Sequence, residues 1–148
     1  MNLKVGDKSP EFNLPDQTGK THTLEENKGK WVLLYFYPQD DTPGCTAEAC
    51  SLRDNLPHFD STNAQIFGVS SDSVESHKKF VEKYNLNFTL LSDEGKDVIK
   101  AYDSLSMMGT IRNSFLIDPN GNIAKIYEKV NPKVHAAEVL ADLNQLKI

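Results

Sequence analysis

Residues 31–50 read WVLLYFYPQDDTPGCTAEAC. The first part, Trp31 to Tyr37, is a continuous apolar run rich in aromatic and aliphatic side chains, which predicts a strand buried on both faces. Pro38 ends this run. After a polar turn, Thr42 to Leu56 has helix-forming composition and should end before Pro57, because a residue that precedes proline is disfavoured in the helical region. The stretch therefore predicts a strand, a turn and a helix.

The same alternation continues along the chain. Further strands are predicted at residues 65–70, 88–91, 113–117 and 123–130, and further helices at 74–84, 94–102 and 133–146. Residues 118–121, Asp-Pro-Asn-Gly, predict a hairpin turn between the last two strands, since Asn-Gly tolerates positive φ angles. Strands that alternate with helices pair in parallel through right-handed crossovers, and the last hairpin adds an antiparallel edge. The predicted fold class is α/β, a three-layer α/β/α sandwich.

Two other patterns complete this prediction. Residues 5–30 are typical of short strands and turns, with a hairpin around residues 16–19. In the last helix, helical spacing predicts an apolar face that packs on the sheet, made of Val134, Ala137, Leu140, Leu143 and Leu146.

The composition fits one folded domain, residues 1–148. The chain has 148 residues, of which 39% are hydrophobic and 25% charged, so it is able to bury a core and is not intrinsically disordered. A chain of this length folds without disulfide or metal staples. The two cysteines, Cys45 and Cys50, therefore need another explanation.

The charge pattern argues against two classes of partner. The formal net charge is -5 and the basic residues are scattered, so a nucleic acid is not an expected partner. The longest apolar run, Trp31 to Tyr37, is too short to span a membrane, and the N-terminus meets polar residues before any apolar run. We expect a soluble cytoplasmic protein. In that reducing compartment a cysteine pair is more often catalytic or metal-binding than structural.

Cys45 lies at the start of the predicted helix. Thr42 suits the N-cap and Pro43 the first helical position, so Cys45 takes the third. Free backbone N–H groups and the helix dipole favour a thiolate there. Gly44 lets a small substrate approach closely. The pattern predicts a nucleophilic cysteine; the alternative is a small, buried apolar side chain.

Cys50 follows on the same predicted helix. The two Cα atoms should be roughly 8–9 Å apart in a regular helix. A disulfide needs about 4.4–6.8 Å between them, so either the cysteines never bond or the helix unwinds. A zinc site that adds His58 is a weaker interpretation, because no fourth ligand lies nearby.

The stretch from Pro38 to Cys50 resembles the peroxiredoxin motif PxxxTxxC, and specifically the PxDxTPGCTxEAC form of the bacterioferritin comigratory protein, or peroxiredoxin Q, subfamily. Further similarity in chain order covers nearly the whole sequence. It includes Gly6, Pro10, Phe12, Leu14, Gly19, residues 67–70, Asp72, residues 88–93, Arg112 and residues 115–118. The resemblance implies a thioredoxin-like fold with an N-terminal β-hairpin extension.

The resemblance also implies catalytic roles. Cys45 corresponds to the peroxidatic cysteine, Thr42 to the hydroxyl that holds the peroxide, and Arg112 to the cation beside the thiolate. Cys50 corresponds to the resolving cysteine of those members that carry both cysteines on one helix. The four residues together imply peroxide reduction by a thiol.

Supporting roles are implied for a second group. Pro38 and Gly44 belong to the motif, and Pro43 would shield the thiolate. Glu48 would hydrogen-bond in an arginine network, or else be a solvent-facing helix carboxylate. For Arg53, an ordinary ion pair and an active-site role both remain open.

The implied activity is a thiol peroxidase that reduces hydrogen peroxide and organic hydroperoxides without a metal, haem or flavin. Cys45 would become a sulfenic acid, Cys50 would resolve it as a disulfide, and thioredoxin or a similar dithiol would reduce that disulfide. The expected assembly is a monomer, with a weak dimer as the alternative.

Two rival functions use the same fold. A dithiol–disulfide oxidoreductase usually has cysteines two residues apart, so the spacing of Cys45 and Cys50 argues against it. A non-enzymatic binding module with a thioredoxin fold would not explain why this chain combines Pro38, Thr42, Cys45 and Arg112.

Other side chains are predicted to be structural. Met107 and Met108 should fill a pocket or the core. The four histidines should be surface or partly buried side chains; they are His22, His58, His77 and His135.

Overall fold

The computed structural model describes residues 1–146. Its strands are β1 (Asn13–Pro15), β2 (Thr21–Thr23), β3 (Trp31–Phe36), β4 (Ala64–Ser70), β5 (Thr89–Ser92), β6 (Leu105–Ser106), β7 (Gly109–Thr110), β8 (Ser114–Ile117) and β9 (Ile123–Tyr127). Its α-helices are α1 (Pro43–Ser61), α2 (Val74–Tyr84), α3 (Asp97–Ala101) and α4 (His135–Leu146), and a short 3-10 helix covers Glu25–Asn27.

A five-stranded sheet with the order β5-β4-β3-β8-β9 lies at the centre. Strands β3, β4 and β5 are parallel, while β8 runs antiparallel to both β3 and β9. The predicted parallel sheet with an antiparallel edge is therefore confirmed. Tyr35 on β3 lies opposite Gly68 on β4, and a Cβ atom at Gly68 would lie 2.7 Å from the ring of Tyr35. Glycine at this position makes room for the phenol ring beneath α1.

The side chains of β3 alternate between two cores, as the pleat of a strand requires. Leu33 and Tyr35, with Tyr37 just beyond the strand, lie in a core that also holds buried residues of α1, α2 and α4. Val32, Leu34 and Phe36 lie in the opposite core, with residues of α3 and the N-terminal hairpin. Helices cover both faces of the sheet, and the three-layer α/β/α prediction is confirmed.

The N-terminal hairpin is formed by β1 and β2, which pair antiparallel. Asp16 closes its turn by accepting hydrogen bonds from the backbone N–H groups of Thr18 and Lys20. This confirms the hairpin predicted around residues 16–19. Among the described residues, no helix combines the length and the apolar character needed to cross a bilayer.

Helix α1 is longer than predicted. The expected end was Leu56, but the helix continues through Pro57. Pro57 has no N–H to donate to the carbonyl of Arg53, four residues earlier. Asn87 Nδ2 donates to that carbonyl instead, at 3.3 Å, and Phe59 beyond the proline is fully buried. The prediction was wrong because tertiary contacts outweigh the local effect of proline.

Two elements are shorter than predicted. Helix α3 begins after the expected residue 94, because Lys96 has a left-handed backbone with φ 65°. Strand β9 ends at Tyr127 rather than at residue 130, and Lys129, with φ 51°, turns the chain away. Both breaks depend on left-handed residues other than glycine, which composition does not reveal.

The buried face of α4 differs from the predicted one. Val134 and Ala137 are exposed, whereas the buried residues are His135, Ala136, Val139 and Leu143. His135 Nε2 forms a 2.8 Å hydrogen bond with Ser114 Oγ, and its ring contacts the ring of Tyr127. A buried polar anchor thus fixes the rotation of this helix, which apolar spacing alone does not show.

Met107 and Met108 lie between β6 and β7, a two-stranded hairpin that the sequence did not predict. Both side chains are fully exposed, so the prediction that they fill a pocket or the core was wrong. The hairpin turn places them at its tip, away from either core.

Candidate active site

The N-terminus of α1 holds Cys45. Thr42 is the N-cap in an extended backbone conformation, Pro43 occupies the first helical position, and Cys45 the third. The predicted placement of the cysteine is confirmed, and its side chain is only 2% exposed. The Thr42 side chain does not cap the helix. Its Oγ1 donates to the Gln39 carbonyl at 2.9 Å, which leaves the oxygen lone pairs free to accept a hydrogen bond.

Arg112 bridges two side chains of α1. Its Nη2 donates to Cys45 Sγ at 3.3 Å, and its Nη1 donates to Glu48 Oε1 at 2.9 Å. The backbone of Arg112 is fixed because its carbonyl accepts from the N–H of Val130 at 2.9 Å. A Cβ atom at Gly44 would lie 3.1 Å from Nη2, so glycine there gives the guanidinium its space. The structure thus brings Gly44, Cys45 and Glu48 together around Arg112 at the end of the helix that Thr42 and Pro43 begin.

Glu48 is buried rather than solvent-facing, which favours the arginine-network interpretation. Burial raises the pKa of this carboxyl to about 7, although Arg112 acts in the opposite direction. Within the described part of the chain, Glu48 Oε2 and Tyr35 OH are both buried without a hydrogen-bond partner. A buried oxygen without a donor favours the protonated carboxyl, because an unpaired charge away from water is costly.

We expect Glu48→Gln to stabilise the protein at alkaline pH and to have little effect at acidic pH. The folded pKa of Glu48 lies above its unfolded value of 4.5, so the stability that this group contributes is complete below pH 4.5 and is lost as the pH rises through about 7. Glutamine imitates the neutral form at every pH. Urea unfolding should show a gain of up to about 3 kcal/mol at about pH 8 that shrinks towards zero at about pH 5.

A matched control is Glu82→Gln, which removes an exposed carboxylate from α2. This variant should follow the pH profile of the wild type. A Glu48→Gln variant that is less stable than the wild type at alkaline pH would show that the ion pair with Arg112 outweighs the cost of burial.

The loop before α1 is tied to α2 by Asp40. This nearly buried carboxylate accepts from Tyr37 OH at 2.6 Å and from Ser76 Oγ at 2.8 Å, and it binds His77 Nδ1 at 2.7 Å. His77 Nε2 binds the Leu91 carbonyl at 2.9 Å. The His77 ring therefore links the loop before α1 to α2 and to β5 through hydrogen bonds at both of its nitrogens.

Sequence reasoning missed this pair. His77 is fully buried and His135 is nearly so, and the expectation that they are surface or partly buried side chains was wrong. Asp40 lies within the stretch from Pro38 to Cys50, and this position was the one indication in the sequence that its side chain contributes to the site. Nothing near His77 in the sequence points to a partner that lies 37 positions away.

The neighbouring residue, Asp41, is held by the other end of α2. Its φ angle is 56°, an uncommon conformation for a residue other than glycine. Its carboxylate accepts from Tyr84 OH at 2.6 Å and from Lys83 Nζ at 2.7 Å. These contacts hold the Asp41 pKa below its usual value, the hydrogen bond from Lys83 being the largest cause. Two consecutive aspartates therefore fasten the loop that carries Thr42.

The other predicted site residues lie outside this cluster. Pro38 and Pro43 are exposed. Cys50 is half-buried further along α1, and both cysteines are free thiols. Arg53 binds Asp54 and the Tyr84 carbonyl, so it forms an ion pair rather than a contact with Cys45.

The structure does not support the zinc interpretation. Cys45, Cys50 and His58 do not converge on a common point in the described residues. The one cluster there with metal-ligand spacing is Asp40, Asp72 and His77, whose atoms are engaged in the hydrogen bonds of the loop.

Comparison with known proteins agrees with this geometry. The model of the AhpC/TSA family matches residues 5–126. The peroxiredoxin Bcp of Bacillus subtilis is 43% identical over 154 residues, which cover 99% of this chain and 98% of that protein.

Solved structures are similar over their full length. A cysteine-to-serine mutant of PrxQ from Xylella fastidiosa has a TM-score of 0.95 at 34% identity, covering 100% of this chain and 99% of the other. The bacterioferritin comigratory protein of Xanthomonas campestris has a TM-score of 0.92 at 35% identity, covering 99% of each chain. The chain therefore belongs to the AhpC/TSA family, and within it to the peroxiredoxins of the Bcp and Q type, which are thiol peroxidases.

Proposed function

We propose that Cys45 is the nucleophile of this thiol peroxidase. The observation that supports this proposal most directly is the position of Arg112, which donates one hydrogen bond to Cys45 Sγ and another to Glu48. A guanidinium held in this way stabilises the thiolate and keeps the sulfur at the N-terminus of α1. The thiolate attacks one oxygen of the peroxide, the O–O bond breaks, and the products are a Cys45 sulfenic acid and an alkoxide or hydroxide.

Three groups would hold the peroxide in line. The N–H of Cys45 lies in the first turn of α1, where backbone N–H groups have no helical acceptor. Thr42 Oγ1 donates its hydrogen bond to the Gln39 carbonyl, so its oxygen is oriented to accept the hydrogen bond of the peroxide O–H. Arg112 stabilises the charge that develops on the leaving oxygen. Alignment of both oxygens also lowers the entropic part of the barrier.

Cys50 would complete the cycle. Its thiol attacks the sulfenic sulfur, a disulfide with Cys45 forms, and the oxygen leaves as water after it takes up a proton. A dithiol reductant then returns two electrons by thiol–disulfide exchange. Thioredoxin-type reductants are typical of this family, and we propose thioredoxin as the partner here.

The supporting residues would shape this site. Pro43 shields the thiolate at the first helical position, Gly44 makes room for Arg112, and Glu48 orients it. Pro38 ends the strand that leads to the loop. We propose that residues 1–148 act as a single monomeric domain in the cytoplasm, on hydrogen peroxide and organic hydroperoxides.

The Xanthomonas campestris relative offers a guide to the substrate, since its structures are described as bearing on alkyl peroxide reduction. A coupled assay with thioredoxin, thioredoxin reductase and NADPH tests the proposal, with hydrogen peroxide or an alkyl hydroperoxide as substrate. NADPH should be consumed only when peroxide and the protein are both present. Insulin reduction without peroxide would instead indicate a dithiol oxidoreductase, and neither activity would indicate a binding module.

Arg112→Met should slow peroxide consumption by about a hundredfold to a thousandfold, the usual effect of removing one preorganised donor from a developing negative charge. Arg112→Lys keeps the charge but loses the planar fork, so its rate should lie between those of Arg112→Met and the wild type. Equal rates for wild type and Arg112→Met would exclude the arginine from the reaction.

A further inference from the structure

The C-terminal end of α2 contacts α1 and its preceding loop at two places, on either side of the cysteines. Tyr84 OH donates to Asp41 Oδ1 at 2.6 Å, just before the N-cap of α1. The carbonyl of the same Tyr84 accepts from Arg53 Nη1 at 2.6 Å. Cys45 and Cys50 both lie between these two anchors, Asp41 and Arg53.

The hydrogen-bond ladder of α1 has a gap at the second anchor. Pro57 has no N–H, so the carbonyl of Arg53 lacks its helical donor. Asn87, just beyond α2, donates to this carbonyl at 3.3 Å. The front half of α1 is therefore less strongly coupled to the back half at this point. The two groups that hold the junction, the Tyr84 carbonyl and the Asn87 amide, lie at the end of α2 and just beyond it.

The two halves of α1 differ in what disulfide formation requires of them. The front half must unwind, because Cys45 and Cys50 are too far apart in a helix to bond. The back half is held in place by Phe59, whose side chain is fully buried. Unwinding beyond Arg53 would draw Phe59 out of the core without bringing the cysteines any closer.

We infer that Arg53 is a positioning residue that sets where the unwinding of α1 stops. Its bond to the Tyr84 carbonyl holds the junction while residues 43–52 open and Cys50 reaches Cys45. This inference rests on the proposed role of Cys50. It assigns Arg53 to the resolving step, through the helix boundary rather than through contact with the reacting sulfur atoms.

Hydrogen exchange after stoichiometric hydrogen peroxide tests this boundary. In the oxidised wild type, amides 46–56 should lose protection, because their helical acceptors are the carbonyls of residues 42–52, and amides 58–61 should keep it. In oxidised Arg53→Met, exchange at amides 58–61 should rise by about tenfold, as expected for the loss of one hydrogen bond from a charged donor. Arg53→Lys should restore part of the protection, because an ammonium group still donates to one carbonyl.

The matched control is Asp54→Asn, which weakens the ion pair of Arg53 and leaves its hydrogen bond to the Tyr84 carbonyl in place. This variant should keep the wild-type boundary. Protection lost evenly as far as Ser61 in the oxidised wild type would overturn the inference, as would equal profiles for Arg53→Met and Asp54→Asn.

Mass spectrometry of the same samples separates the two proposals. If no disulfide between Cys45 and Cys50 forms, the proposed role of Cys50 fails. The boundary is then measured in the reduced protein under mild denaturant, where local openings are seen. Amides 46–56 that exchange no faster than amides 58–61 would overturn the inference there too.

Discussion

Cys45→Ser is expected to remove peroxide-dependent thiol consumption, with less than about a thousandth of the wild-type rate remaining, because a serine hydroxyl is un-ionised and weakly nucleophilic at neutral pH. The hydroxyl is close in size to the thiol, and Arg112 still has Glu48 as a partner. The fold should therefore persist. The coupled assay measures the activity, and circular dichroism with thermal unfolding checks the structure.

Cys50→Ser provides the matched comparison, since it removes the other thiol from the same helix. It should consume one equivalent of peroxide, which Cys45→Ser should not. A Cys45→Ser variant that keeps more than a few per cent of the wild-type rate would contradict the assignment of the nucleophile.

The position of Cys45 could be predicted from the sequence because its causes are local. Thr42 and Pro43 are adjacent signals for the start of a helix, and they place the cysteine without knowledge of any distant residue. The apolar run of β3 likewise identified the central strand. The identity of Arg112 as the neighbouring cation came from resemblance to the family, because 67 positions separate it from Cys45.

The features that the sequence did not reveal depend on contacts between distant segments. Asp40 and His77 meet only when α2 packs beside the loop, and each looks like an ordinary polar residue on its own. The end of α1 was mispredicted because the preference of Pro57 is local, whereas Asn87 and Phe59 act through the tertiary structure. Local signals thus located the proposed nucleophile, and packing determined how its helix is anchored.

Oxidation of the wild type with one equivalent of peroxide is expected to destabilise the protein. Formation of the disulfide requires residues of α1 that are now buried, Glu48, Ala49 and Leu52 among them, to leave their helical positions. The disulfide closes only a short loop, so the entropy it removes from the unfolded chain compensates for little of this loss. The oxidised form should unfold at lower urea concentration and be cleaved faster by protease within α1 than the reduced form.

Cys50→Ser separates the effect of the disulfide from the effect of oxidising Cys45. With peroxide and thioredoxin it should turn over once and accumulate the Cys45 sulfenic acid, detected with a dimedone-type reagent, while its protease resistance stays that of the reduced protein. Its steady-state rate should fall by at least about a hundredfold, because the remaining sulfenic acid must wait for a thiol from outside. Normal turnover of Cys50→Ser with thioredoxin would show that the reductant resolves Cys45 directly and that α1 need not unwind.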